Sequence, residues 1–178
     1  NDDYWVVKVT ATGAVEWENT IGGLGYDLLF SVSQTADGGY IIGGTSDSNI
    51  SGDKTEARVG NTDIWVLKLN SSGSIIWQND IGGLMNENIY SIEETQDGGF
   101  IIGGYSDSGI SGDKTEANIG FTDYWVVKLD SAGGVVWDNT IGGSLGDQLY
   151  SLQETEDGGY IVAGVSSSGI SGDKTEVS

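Results

Sequence analysis

The 178-residue chain contains no cysteine and no histidine. Those two absences exclude disulfides, Cys- or His-ligated zinc, Cys or His nucleophiles and imidazole-based pH switches. Cationic side chains are scarce: seven Lys and Arg stand against 27 Asp and Glu, a net charge of −20. A surface of that sign repels nucleic-acid phosphates and anionic lipid, so no nucleic-acid partner is expected. No apolar run approaches the roughly 18 residues of a transmembrane helix, so no membrane insertion is expected. There is neither an initiator Met nor a leader-like segment, which predicts a mature product or a piece of a longer protein. The absence of Cys is compatible with an extracellular location. An acidic composition often marks disorder, yet 30 Gly, six Trp and 37% apolar residues in strict repetition predict a packed fold of about one domain.

What the chain has in abundance is repetition. The phrase SGDKTE occupies 51–56, 111–116 and 171–176, a period of 111 − 51 = 60 residues. Trp5, Trp65 and Trp125 share one position of the period, and Trp17, Trp77 and Trp137 share another. IGG triplets begin at Ile21, Ile81 and Ile141, and DGG triplets at Asp37, Asp97 and Asp157. Lys8, Lys68 and Lys128 recur together, as do Lys54, Lys114 and Lys174, with Arg58 outside the pattern. Residues 1–178 are therefore a single repeat domain of units about 1–60, 61–120 and 121–178. A period of this length signals a solenoid, a propeller or an array.

Within the second unit, DIWVLKLN, SIIWQNDIGG, NIYSIEET and FIIGGYSDS read as four short strands separated by turns. Asp-Gly-Gly is a hairpin signal whose glycine supplies positive φ, which makes Asp37, Asp97 and Asp157 turn residues rather than catalytic ones. No segment shows a helical period. The expected fold is all-β, with propeller-type blades of four antiparallel strands and three repeats per chain; a β-solenoid array is the alternative. The tryptophans are expected in the core, each aromatic burying roughly 150–250 Å². The small pairs Gly43–Gly44, Gly103–Gly104 and Ala163–Gly164 are expected to let strands crowd together near an axis.

SIEETQDGGFIIGG resembles the inner strand pair of a WD-type propeller blade, and DYWVVKLDSAGGVVWDNTIGG resembles the outer pair. The whole chain is also similar to tandem repeats of secreted and cell-surface proteins of flavobacteria and related Bacteroidetes, whose units carry DYWVVKLD, GGYIIGG and SGDKTE-like phrases. The resemblance implies a propeller-like fold and an extracellular or cell-surface location. It supplies no active site.

The acidic loop is the one candidate for cation chemistry. From Asp47 to Gly52 its spacing matches the start of an oxygen-ligand calcium loop. The match then fails, because Arg58 and Asn118 stand where a bidentate Glu belongs, and Ser167 replaces the opening Asp in the third unit. If calcium binds, Asp53, Glu56, Asp113 and Glu116 are the expected ligands, with Asp47 and Asp107 supporting. The bland alternative is a turn-rich loop ordered by its own side chains and by lysine ion pairs. An enzyme is not expected: every carboxylate candidate recurs in each unit, whereas an active site breaks repeat symmetry.

These readings converge on a non-enzymatic extracellular scaffold for binding or surface architecture. A calcium-dependent carbohydrate-binding propeller, with a glycan ligand, is the alternative, and a fibre subunit the third. The linear order begins with an outer strand pair and ends with an inner one. A homo-oligomer is therefore expected, either a dimer of three blades each or a fibre.

Overall fold

The structure is a computed structural model and describes residues 1–177. It is all-β, with no helix among the described residues. The first unit supplies β1 (Tyr4–Val9), β2 (Val15–Ile21), β3 (Asp27–Gln34) and β4 (Tyr40–Ser46). The second supplies β5 (Asp63–Leu69), β6 (Ile75–Ile81), β7 (Glu87–Glu94) and β8 (Phe100–Ser106). The third supplies β9 (Asp123–Leu129), β10 (Val135–Ile141), β11 (Asp147–Glu154) and β12 (Tyr160–Ser166). The strands read from the second unit lie within a residue or two of these bounds.

Strand partnership does not follow the sequence unit. One antiparallel sheet runs β3-β4-β5-β6 and a second runs β7-β8-β9-β10, each joining the last hairpin of one unit to the first hairpin of the next. That leaves β1–β2 and β11–β12 as two-stranded half-sheets. Repeat and sheet are thus out of phase by half a unit. The joint between hairpins is the same in both full sheets: Gly44 lies opposite Trp65, and Gly104 opposite Trp125.

The four layers stack face to face with a core in each gap. Tyr4, Val6 and Ile21 of the first half-sheet pack on Ile42, Trp65 and Leu67. Ile41, Ile64 and Val66 on the other face of that sheet meet Ile89, Phe100, Ile102 and Trp125. Ile101 and Val126 then meet Leu149 and Leu152 of the last half-sheet. Sheets buried on both faces lose the polar–apolar alternation of a half-exposed strand, and all seven residues of β5 are buried. The first strands draw the sheets together: β3 lies beside β7 and β7 beside β11, while no comparable approach joins the last strands β6 and β10. The stack therefore fans, narrow at its first strands and open at its last.

The two glycines of the first and second DGG turns serve different needs. Gly98 takes φ 79°, which an L side chain resists. A Cβ on Gly99 would collide with the Leu129 carbonyl and the Lys128 amine. The paired glycines of β4 and β8 admit close neighbours on opposite faces of their strand. Gly43 admits Ile89 of the next sheet, whereas Gly44 admits the Leu28 carbonyl at a bulge of its own hairpin.

Candidate functional site: the acidic loops and the two half-sheets

Each acidic loop is a strap between neighbouring sheets. Asp53 donates its amide to the Gly22 carbonyl at 2.9 Å and accepts the Gly22 amide on Oδ2 at 3.2 Å. Asp113 repeats the exchange with Gly82, and Asp173 with Gly142. Three residues on, Glu56 accepts the Asp80 amide at 2.9 Å and Glu116 the Thr140 amide at 2.8 Å. Asp47 accepts the Tyr26 amide, and Asp107 accepts from the Asn86 side chain at 3.0 Å. All six carboxylates named as calcium ligands therefore contact loop or strand donors. Among the described residues, no three Asp or Glu side chains converge as a metal cage would require.

Charge scarcity on the cationic side is met by placement. Lys54 is buried between its ion-pair partner Asp80 and the ring of Trp65, 5.5 Å from the ring centroid. Lys114 sits 5.7 Å over Trp125 but donates to the hydroxyl of Thr140, which occupies the position of Asp80. Lys68 pairs with Asp37 and Lys128 with Asp97, tying the inner hairpin turn to the outer hairpin. Lys8 has no such turn within reach and pairs with Glu16 instead. Lys8, Lys54, Lys68 and Lys128 thus each make an ion pair. Lys114 donates to the Thr140 hydroxyl, and Lys174 reaches the Ser168 carbonyl at 2.7 Å.

These contacts shift protonation in opposite directions. Lys68, the Thr35 hydroxyl and the Gly39 amide hold Asp37 well below the usual carboxylate range. The Thr95 hydroxyl, then Lys128, does the same for Asp97. Burial pushes Asp80 up to about 7, helped by the neighbouring Asp63 and opposed by Lys54. Burial likewise raises Glu87 and Asp113. The DGG aspartates are turn residues as expected: Asp97 accepts from the Thr95 hydroxyl at 2.6 Å and the Gly99 amide at 3.0 Å.

The repeat itself supplies a control for exposure. Trp65 and Trp125 are 0% exposed, whereas Trp5 at the same position is 65% exposed. Ile41 and Ile101 are 0% exposed, whereas Ile161 is 61% exposed. Core packing therefore describes Trp65 and Trp125, and the outer-strand tryptophans only in part: Trp17 and Trp77 stack on Tyr40 and Phe100. A cavity of about 250 Å³ opens beside the last half-sheet, lined by Tyr124, Ile141, Gly142, Asp173 and Lys174 among others. A second, of about 550 Å³, opens beside the first half-sheet over Trp5, Val6, Leu29, Val32 and Tyr40. The narrow side of the fan carries a row of rings, with Phe30 5.4 Å from Tyr90 and Tyr90 5.0 Å from Tyr150. The copies read alike residue by residue, and only the order of hairpins, outer first and inner last, marks which copies are bare.

No protein-family model matches the chain, and comparison with curated proteins finds no match.

Proposed function

We propose that the chain is a non-enzymatic β-propeller scaffold of the extracellular space or cell surface, which self-associates through its two half-sheets. The carrying observation is the repeat control: residues covered in the middle of the stack are bare at its two ends. An uncovered sheet edge is a template for further pairing. The outer hairpin β1–β2 lacks an inner hairpin, and β11–β12 lacks an outer one. Two copies joined at both ends would hold 2 × 2 full sheets plus two seam sheets, six in all, within the ring sizes of propellers. The fanning of the stack about β3, β7 and β11 supports a radial arrangement over a flat array. The exterior location rests on the likeness to secreted repeats. Light scattering tests the reading: a dimer of 2 × 18.7 = 37.4 kDa is expected, or a ladder of larger species if the ring does not close. A monomer across a wide concentration range overturns it.

A glycan-binding role is the second reading, favoured by the aromatic row Phe30, Tyr90 and Tyr150, since half-exposed rings suit sugar faces. Calcium enters through Asp47, Asp53, Glu56, Asp107, Asp113 and Glu116, which would have to exchange their present donors for the ion. A glycan array read with and without chelator tests both parts. Binding that chelator abolishes supports the pair, and an empty array in calcium removes the glycan role.

A further inference from the structure

We infer that the cavity at Tyr124, Ile141, Gly142, Asp173 and Lys174 is the seat for Trp5 of a second copy of this chain. The inference rests on the self-association reading and names the contact that makes it specific. The same seat is filled twice within the molecule. Trp65 lies 5.1 Å from the ring of Tyr4 and in one cluster with Ile21, with Lys54 over its face. Trp125 lies in one cluster with Ile64 and Ile81, with Lys114 over its face. One period on, those positions are Tyr124, Ile141 and Lys174, which line the third seat.

The fit is chemical as well as positional. A dry apolar cavity of about 150 Å³ is known to accept benzene, so one of about 250 Å³ has room for an indole. Trp65 donates its indole N–H to Gln78 at 3.1 Å and Trp125 donates to Asp138 at 2.9 Å, each on the paired outer strand. Trp5 already donates to Glu18 on its own paired strand at 3.1 Å, so its ring is presented in the matching pose. Lys174 would then stand over that ring as Lys54 and Lys114 stand over theirs.

The rest of the seam follows from the same translation. In the full sheets Ile42 lies opposite Leu67 and Ile102 opposite Val127. The seam therefore sets Val162 opposite Val7 of the second copy. Ile41 packs in one cluster with Ile89 and Ile92, and Ile101 with Leu149 and Leu152. Ile161 would thus enter the second copy's larger cavity over Leu29 and Val32. Each end carries both a projection and a recess, and the two ends are complementary.

The native absence of cysteine makes the test clean. Chains carrying Val162→Cys are mixed with chains carrying Val7→Cys and oxidised. Efficient covalent dimer, with little product from Val162→Cys mixed with Val6→Cys on the opposite strand face, is the expected result. In parallel, Trp5→Ala should weaken dimerisation by ~30-fold or more, as truncation of a buried aromatic anchor does. The exposed position of Trp5 predicts an unchanged melting temperature for the separated chain, which checks folding. Wild-type association with unchanged affinity in Trp5→Ala, or equal cross-linking in both mixtures, overturns the seat while leaving self-association standing. A monomeric wild-type chain overturns both.

Discussion

Asp80 is a residue at which the repeat departs from itself, since Thr20 and Thr140 hold the same position. Its carboxyl is buried beside Asp63 and pushed up to about 7, so between about pH 4 and 7 the folded chain binds more protons than the unfolded one. Stability from this group is therefore present at low pH and falls as pH rises through that window. Asp37 and Asp97 act in the other direction, being held low by Lys68 and by Thr95 with Lys128. Their contribution is present above about pH 4 and is lost as pH falls below it. The melting temperature should thus pass through a maximum in mildly acidic buffer. Asp80→Thr should make the decline toward pH 7 shallower. Removing one partner of a buried ion pair costs about 3–5 kcal/mol, but Lys114 with Thr140 shows the uncharged joint is already accommodated. A smaller loss, below about 3 kcal/mol, is expected in denaturant titration. Much at this scale was legible: Asp97 as a turn residue follows from the DGG triplet, and Lys68 as an ion-pair donor from its recurrence in so acidic a chain. The exposure of Trp5 was not, because Trp5 and Trp65 sit in nearly identical local sequence and differ only in what lies across the gap.

The acidic loop is the element that the sequence described least well. A run of Asp, Ser, Gly and Glu at alternating positions serves equally to surround a cation or to accept backbone amides. Only the third dimension distinguishes the two, through what stands opposite each oxygen. In this fold Glu116 stands opposite the Thr140 amide, on a strand 24 residues away. Glu116→Ala should leave that half-buried amide without its acceptor and cost ~1–3 kcal/mol, read as a fall in denaturant midpoint. Glu176 occupies the same loop position and is exposed, so Glu176→Ala should leave the stability of the separated chain unchanged. Gly112 marks the tightest point of the strap, at φ 55° with the Gly82 carbonyl where a Cβ would sit. Gly112→Ala should lower the melting temperature by about 2–8 °C, since ~1–2 kcal/mol of left-handed strain converts to that shift in a domain of this size. The strands themselves were readable from alternation and turn residues. Their grouping into sheets offset from the unit was readable only as an order of hairpins, since pairing across a long loop leaves no local mark.

For the whole molecule, three cores lie between four layers, and the outermost layers have one covered face each. The half-unit offset between repeat and sheet sets an arithmetic on copy number. A chain of n such units holds n − 1 complete sheets and two half-sheets, so the proposed self-association would add one join per chain. If the proposed ring closes at six sheets, it is tiled without remainder by chains of one, two, three or six units, and not by chains of four or five. A two-unit version should assemble as a trimer and a six-unit version should remain a closed monomer. A four-unit version should leave unjoined ends and run to polydisperse mass on native electrophoresis. Gain or loss of 60-residue blocks would accordingly change how many chains share the circle without altering any contact that holds it.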